Sequence, residues 1–517
     1  MVYTKRIRSR RVKATELLEK GNYKIVSGKD FEVSALAYDS RKAVSSSLFF
    51  ALPGAAQDGK LFAQDAIKRG AGGVVFEGDE PQSLKGQALL VKVSDARRAL
   101  ARAAHRFFGD PTSELITVGV TGTDGKTTTT YLLESIFRAA EISAARFGTI
   151  EYSVCGNLYP ALNTTPESLD LVSLFAEARA CGAKACTFEV SSHALAQKRA
   201  DFCQFDCAIF TGFARDHLDY HGTLENYFQA KKRLFTELLK SSRKSNKFAV
   251  INTGSPEGKK LADELVSVGD IRIASVGEGG DVFWESFESN RTGVRGILNI
   301  FGQRRFISSL LIGDFNATNI AVASCAAYLL GIDLDTIARG VGALGRVAGR
   351  MEPIFGRDIL VLIDYSHTPD ALAKAIGASK KLNPKKLTVV FGCGGDRDRG
   401  KRPLMGKAAA ELADRVVVTS DNPRTEDPVR IIDEIIAGMN SARRVDSTEF
   451  EKSSGHVYCV LPDRTSAIEL AISQAISGEI VLIAGKGHET YQVLGTKKIH
   501  FDDREKAREA ILKYGRA

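Results

Sequence analysis

Nowhere in the 517 residues is there an apolar run long enough to span a bilayer. That argues against a membrane-embedded protein. The basic start (Lys5, Arg6, Arg8, Arg10, Arg11 and Lys13) is not followed by an apolar stretch of signal-peptide length. It reads as a short solvated tail rather than a secretion signal. Cysteine occurs eight times but never in CxxC spacing; Cys181/Cys186 and Cys203/Cys207 are only loose pairs. Buried free thiols in a reducing cytoplasm are the expectation. No fixed-period repeat and no low-complexity linker is present. The net charge is +9, yet no aromatic-interleaved basic stripe and no zinc-finger spacing accompanies it. A nucleic-acid partner is therefore not indicated, and small polyanionic ligands account for the surplus.

What is present is ordinary for a soluble globular chain: 26% charged and 44% hydrophobic residues. The length suggests roughly three domains. Short β-rich runs at 116–120, 186–190, 249–251, 359–363, 387–391, 416–419 and 480–483 alternate with helical stretches such as 127–140, 319–330 and 403–413. Near-continuous apolar strands between helices predict parallel sheets in an α/β fold. One boundary is placed near Asp110 and Pro111, another near 345–349, where glycines interrupt a helical pattern. The predicted units are 1–111, 112–347 and 348–517.

The strongest local signal is the run from Leu115 to Thr128, LITVGVTGTDGKTT. A buried strand enters a glycine turn, and Lys126 and Thr127 open a helix. Gly122 and Gly125 permit backbone conformations that side chains block, and free N–H groups at the helix start face phosphates. Lys126 is suited to neutralise the outer phosphate oxygens and the Thr127 hydroxyl to ligate Mg²⁺. Val120 stands where the strict GxxxxGK[ST] pattern has its first glycine, so the match is to a compact variant.

Two further clusters carry chemistry. Glu189, in the run Thr187-Phe-Glu-Val-Ser191-Ser-His193, falls at the carboxyl edge of a strand, where α/β sheets bind ligands. It is a candidate second Mg²⁺ ligand. Arg215-Asp216-His217-Leu-Asp219-Tyr-His221 gathers two histidines and two aspartates, which suits metal or phosphate chemistry and equally a surface turn. Lys231, Lys232 and Arg233 follow; the residues alone do not single out one of the three.

In their order along the chain these motifs resemble the Mur ligase family. Tyr38-Asp39-Ser40-Arg41, Leu48-Phe49 and Gly54…Asp58-Gly59 are similar to its UDP-binding N-terminal domain, and Thr121–Thr128 to its ATP loop. Asn163-Thr164-Thr165-Pro166, Glu189-Val-Ser191-Ser-His193…Gln197-Lys-Arg199 and Asp216-His217-Leu-Asp-Tyr-His221 follow. Then come Gly313-Asp-Phe-Asn316…Asn319, Gly349-Arg350-Met-Glu352, Asp364-Tyr-Ser-His367-Thr-Pro-Asp370, Gly394-Gly-Asp-Arg397-Asp and Gly485-Lys-Gly-His-Glu489. Each is modest alone; together they span nearly the whole chain. Three positions depart from the family pattern: Gly212 for an Asn, Ala348 for a Pro and Ser366 for an Ala.

The resemblance implies three α/β domains: a UDP-muropeptide-binding one, a central P-loop ATPase parallel sheet, and a Rossmann-like C-terminal one that brings the amino acid. It implies an ATP-dependent ligase that extends UDP-N-acetylmuramoyl-L-Ala-D-Glu through an acyl phosphate, in cytoplasmic peptidoglycan precursor synthesis, as a monomer. ATP would be held by Gly122, Thr123, Asp124, Gly125, Lys126, Thr127, Thr128, Asn319 and Arg350. Two Mg²⁺ would be held by Thr127, Glu189, His217 and a carbamylated Lys231, the lysine that matches the family's AKxxLF pattern. Lys126, Lys231, His217 and Glu189 are the catalytic set. The UDP-muropeptide would meet Tyr38, Ser40, Ala55, Ala56, Gln57, Asn163, Thr164, Thr165, Ser191, Gln197 and Arg199.

The amino acid is implied by Asp421-Asn422-Pro423-Arg424, which in the family marks enzymes that add meso-diaminopimelate; lysine-adding ones usually lack the Arg. A guanidinium grips the extra carboxylate with two charge-assisted bonds. Arg397, Gly485 and Glu489 match the remaining contacts, with Glu489 suited to the distal ammonium. Three alternatives stand beside this reading: the same ligase adding L-lysine, a folylpolyglutamate synthetase-like ligase, and a nucleotide-dependent switch. The last two need neither the UDP-binding segment nor a zwitterion site.

Overall fold

A computed structural model describes residues 12–54, 57–356, 358–450, 452–453 and 455–514. Lys5, Arg6, Arg8, Arg10 and Arg11 of the basic start lie outside these residues, as do Ala55 and Ala56. The predicted alternation appears as a run of adjacent parallel strands that includes Ala144–Phe147, Ala185–Glu189, Ile116–Thr121, Cys207–Phe210, Phe248–Asn252 and Arg272–Val276. Strands this apolar need cover on both faces. Lys126–Ala139 and Phe315–Leu329 supply one cover, packing Leu132, Leu133, Ile136 and Ile320 against Val118 and Ile209. Ser168–Ala180 and the Phe228–Leu239 stretch supply the other, with Phe175, Phe228 and Phe235 against Phe188 and Phe210. Because Ile116–Thr121 lies between Ala185–Glu189 and Cys207–Phe210, the phosphate loop, Glu189 and Thr211 leave the sheet side by side.

The predicted parallel sheet is present at the centre, and antiparallel strands extend it at both edges. Ala144–Phe147 continues it to Glu151–Val154 and Asn157–Pro160, an antiparallel hairpin. At the other edge Val282–Asn290, Gly293–Ile300 and Gln303–Ser309 form an antiparallel meander. Its strands leave long stretches exposed, so they lack the continuous apolar run that marks a doubly covered strand.

The first sheet runs Tyr23–Ser27, Leu89–Val93, Gly73–Phe76, Ser47–Phe50, Ala35–Ala37. Its helix Ala96–Phe107 shares one core with the central layer, burying Leu100, Ala103 and Phe107 beside Val172 and Ala176 of Ser168–Ala180. Polar contacts reinforce the joint. Asp201 binds Arg233 at 2.8 Å and Arg98 at 3.5 Å, and the Arg98 and Arg102 guanidiniums lie over the Phe202 ring.

The third sheet is ordered Glu352–Phe355, Leu360–Asp364, Ile480–Ala484, Leu387–Phe391, Arg415–Val418, Val457–Val460, Arg443–Arg444, parallel after the first pair. Asp364, Gly485, Gly392 and Thr419 follow or end its four central strands on one edge. No helix among the described residues is long and apolar enough to cross a membrane.

Free thiols throughout are not what the structure holds. Cys155, in the turn between Glu151–Val154 and Asn157–Pro160, and Cys181, at the end of Ser168–Ala180, form a disulfide with Cα atoms 6.5 Å apart. The turn folds back over the helix end, a proximity that sequence spacing does not encode. Cysteine usage therefore no longer speaks for a reducing compartment. Cys186, Cys203, Cys207, Cys325, Cys393 and Cys459 are free and buried.

Arg464 and Asp503 form a fully buried ion pair with bonds of 2.8 and 2.7 Å, and Arg464 also donates to the Ala484 carbonyl at 2.9 Å. Arg464→Met strands a buried carboxylate and should lower the unfolding free energy by about 3–5 kcal/mol. Urea denaturation followed by circular dichroism measures this; a loss below about 1 kcal/mol would contradict the pair's assigned role.

Candidate functional site

The phosphate loop is shaped by what glycine omits. Gly122 has φ +148° and Gly125 φ +85°; a Cβ at 122 would collide with Thr211 Oγ1, and one at 125 with Asn319 Oδ1. Thr123 N donates to the Gly212 carbonyl at 3.0 Å and Thr211 Oγ1 to the Asp124 carbonyl at 2.5 Å, so the neighbouring strand end braces the loop. Lys126 Nζ donates to the carbonyls of Gly122 at 3.0 Å and Thr123 at 2.7 Å. Burial pushes its pKa down, while Glu189 and Asp124 push it up. Thr127 Oγ1 accepts a 2.9 Å bond from Arg350, which belongs to the third segment and lies 4.6 Å over the Tyr365 ring.

Glu189 is almost completely buried. Its Oε1 accepts from Thr149 N at 2.8 Å and its Oε2 from Thr149 Oγ1 at 3.0 Å. A Cβ on Gly148 would strike Glu189 Oε1. Thr149 Oγ1 is also 3.1 Å from Thr164 Oγ1, and Thr165 Oγ1 donates to the Glu189 carbonyl at 2.7 Å and accepts from Ser191 N at 3.1 Å. Arg199 donates to the Thr165 carbonyl at 2.9 Å and to Gln197 Oε1 at 2.6 Å, and the Asn163 carbonyl accepts from Tyr152 at 2.6 Å. The carboxylate and the Asn163–Arg199 group thus form one hydrogen-bonded unit. Gly148 and Thr149 were not singled out in the sequence. The available signal is a Gly-Thr pair directly after the strand Ala144–Phe147.

The geometry separates the adjacent lysines. Lys231 is buried and donates to the Gly122 carbonyl at 2.7 Å, whereas Lys232 pairs with Glu264 outside. Burial drives the Lys231 pKa well below the usual range, and the nearby Lys126 charge lowers it further. His217 adopts φ +54°, with Nε2 3.3 Å from Asp216 Oδ2 and its ring against His193 at 4.7 Å. Burial lowers its pKa to about 3 despite Asp216.

A cavity of about 700 Å³ joins these parts; Lys126, Thr127, Glu189, His217, Asn319 and Arg350 line it. It extends along Phe315, part of the Gly313-Asp-Phe-Asn316 motif, and along Ala378 and Lys381, which the sequence did not single out. Thr127 and Glu189 offer oxygen donors and His217 a neutral imidazole. No cluster of three His, Cys, Asp or Glu suited to a metal gathers among the described residues. The donors fit a hard cation that keeps water and phosphate ligands rather than an all-protein cage.

Of the residues expected to meet the UDP-muropeptide, Ser40 is buried and helps hold down the pKa of Asp65, and Gln57 is exposed. Tyr38, also expected there, reaches the central layer. Its hydroxyl donates to Asp170 of Ser168–Ala180, and burial with that carboxylate raises its pKa. Its polar atom therefore ties the first sheet to the central one. Of the three departures, Gly212 leaves room into which Asn252 reaches, bonding the Thr211 carbonyl at 2.8 Å. Ser366 caps Asp364 through its N–H at 2.9 Å and its hydroxyl. Nothing in the structure explains Ala348.

The group of Arg397, Asp421-Asn422-Pro423-Arg424, Gly485 and Glu489 sits on the edge of the third sheet and does not line the cavity. Its loops touch. The Pro423 carbonyl abuts Gly395, and Asp421 Oδ2 abuts Gly485. Arg424 has φ +53°; its N–H donates to the Val493 carbonyl at 3.1 Å and its guanidinium to the Gly395 carbonyl at 2.6 Å. Arg397 donates to the Asp396 carbonyl at 2.9 Å. Among the described residues neither guanidinium has a carboxylate partner. Arg402, by contrast, is held by Glu426 and Glu434 and bonds the Gly394 carbonyl at 3.2 Å, fastening the loops together. Asn422 is committed internally: Nδ2 to Glu489 at 2.8 Å, and Oδ1 to Val493 N at 2.9 Å. Its side chain holds the loop.

Three family profiles match in succession: "Mur ligase family, catalytic domain" over residues 32–108, "Mur ligase middle domain" over 120–327, and "Mur ligase, glutamate ligase domain" over 349–487. The chain belongs to the Mur ligase family. A relative from Solibacter usitatus, named UDP-N-acetylmuramoyl-L-alanyl-D-glutamate–2,6-diaminopimelate ligase, is 45% identical, with 94% of each chain covered. A solved Mur ligase of the same name superposes with TM-score 0.67 at 31% identity, covering 98% of this chain and 100% of the other. A folylpolyglutamate synthase from Mycobacterium tuberculosis, at 18% identity and TM-score 0.61, covers 75% of this chain and 92% of its own, and shares the fold alone.

Thr149 gives the Mur ligase site a direct test. Thr149→Val removes the hydroxyl bond to Glu189 and keeps the backbone one. Loss of a residue that orients a ligand typically costs about 10–100-fold in activity. Turnover should fall by that order with the melting temperature nearly unchanged; wild-type turnover would refute the assignment.

Proposed function

We propose that this chain is an ATP-dependent ligase that joins meso-diaminopimelate to the D-Glu γ-carboxylate of UDP-N-acetylmuramoyl-L-Ala-D-Glu. One observation carries the reading: near-full-length similarity, at 45% identity, to relatives that bear that name. The two guanidiniums without carboxylate partners beside Glu489 support the choice of amino acid.

ATP lies along the cavity with its phosphates against Gly122–Thr128. Lys126 and Arg350 face the charge that accumulates as the muropeptide carboxylate attacks the γ-phosphate. The carboxylate gains the phosphoryl group and ADP leaves. The amine of diaminopimelate then attacks the acyl phosphate, and the amide forms as phosphate departs. Thr164, Thr165, Ser191, Gln197 and Arg199 align the carboxylate, and alignment supplies much of the rate. Thr127, Glu189 and His217 would hold Mg²⁺, which when bound shields the phosphate oxygens.

Lys231 belongs to the same proposal as a carbamate. A buried amine with a depressed pKa is the nucleophilic form that takes up carbon dioxide, and the product offers an anionic oxygen in place of a cation. A Lys231→Ala enzyme with normal turnover would contradict this. The units 1–111, 112–347 and 348–517 would bring UDP, ATP and the amino acid respectively. The chain would act as a cytoplasmic monomer.

An amino-acid panel with ATP and the UDP-linked dipeptide, scored by product mass, tests the activity. Diaminopimelate should be incorporated far ahead of L-lysine. In Arg424→Ala the apparent KM for diaminopimelate should rise by about tenfold to a few hundredfold, because charged hydrogen bonds contribute roughly 1.5–3 kcal/mol each. KM for ATP and the nucleotide substrate should hold. Equal use of lysine by the wild type would remove the amino-acid assignment.

A further inference from the structure

We infer that Lys486 sets amino-acid choice: its buried ammonium neutralises Glu489, so the site accepts a zwitterionic distal centre and disfavours a lone cation. This deepens the proposed ligase reading and rests on it.

Lys486 follows the strand Ile480–Ala484 and has no exposed surface. Its Nζ is 2.9 Å from Glu489 Oε2 and 3.2 Å from Asn422 Oδ1, with the Tyr491 ring 5.6 Å away. Glu489 Oε2 also accepts from Asn422 Nδ2. Glu489 Oε1 has no hydrogen-bond partner among the described residues, which leaves one oxygen for a ligand. The carboxylate best suited to a substrate ammonium is thus already ion-paired to a cation the protein has buried.

The neighbouring charges give this pairing its consequence. Arg402 is matched by Glu426 and Glu434, and Arg399 by Glu434, so these balance among themselves. The other charges of the three loops, Arg397 and Arg424 against Asp396, Asp398, Asp421 and Asp427, leave no positive excess, so the cation that bears on a ligand at Glu489 is Lys486 itself. Asp421 accepts from Asn422 N at 2.6 Å, so that carboxylate too is partly engaged. Lys498 adds a further cation over the Tyr491 ring at 3.4 Å. An amino acid whose far end is only an ammonium meets the Lys486 charge uncompensated. One whose far end carries ammonium and carboxylate together brings no net charge there and gives the guanidiniums their anion. Like-charge juxtaposition is an effective means of rejection. Without Lys486 that repulsion disappears and Glu489 becomes a bare carboxylate, which suits a lone ammonium. A lysine that merely fills space and satisfies Glu489 predicts no change in selectivity.

Lys486→Gln removes the charge and keeps an amide donor. The readout is kcat/KM for meso-diaminopimelate and for L-lysine, in wild type and variant, with ATP and the nucleotide substrate saturating. The diaminopimelate-to-lysine ratio should fall by roughly tenfold or more, with lysine's own kcat/KM rising. Both values falling together at a constant ratio would overturn the inference. If Lys486→Gln does not fold, Glu489→Gln carries the test: it leaves Lys486 uncompensated, so lysine use should drop further and the ratio rise. An unchanged or lower ratio there would also overturn it. A wild type with no preference for diaminopimelate would fail the ligase reading itself, an outcome separate from a wild-type preference that Lys486→Gln leaves intact.

Discussion

Phosphate can be held by backbone N–H groups only where no side chain stands between them and the anion, and the rest of the molecule is arranged around that constraint at Gly122 and Gly125. The space a Cβ would occupy is taken by Thr211 and Asn319. Thr211 leaves the strand on one side of the loop, Glu189 the strand on the other, and Lys231 reaches the Gly122 carbonyl from the far face. Arg350 arrives from the third segment to meet Thr127. The parallel order of the central strands fixes which groups meet the loop.

The site brings together two kinds of charge control. Around the phosphate loop two amines, Lys126 and Lys231, are buried and depressed in pKa, and an anion placed beside Lys126 would favour its charged form. Around the loops of the third sheet, acids and bases are paired in advance, as at Lys486 with Glu489 and Arg402 with Glu426, while Arg397 and Arg424 keep no carboxylate partner among the described residues. Loop positions are held by side chains that do not themselves face a ligand. Thr149 steadies Glu189, and Asn422 steadies Glu489 and the hairpin residue Val493.

Much of this was legible in the sequence where the physics is local. Apolar strands and the glycine-lysine turn declare themselves within a few residues, and Ile116–Thr121 and Lys126–Ala139 lie within a residue of their predicted spans. The Lys231 choice required the family resemblance, because the neighbouring cations look alike until burial separates them. The misses are contacts between distant segments. Thr149 reaches Glu189 across 40 positions, Tyr38 reaches Asp170 across 132, and Cys155 meets Cys181 only because a hairpin folds over a helix end. The antiparallel meander escaped because half-exposed strands carry a weaker hydrophobic signature.

The central claim is that the phosphate loop serves transfer of a phosphoryl group to the muropeptide carboxylate. Muropeptide labelled with ¹⁸O in both γ-carboxylate oxygens measures this. If the acyl phosphate forms, each tripeptide made should release inorganic phosphate carrying one labelled oxygen, the other staying in the new amide. Tripeptide formation with unlabelled phosphate would mean that the carboxylate never attacks ATP, and would contradict the account.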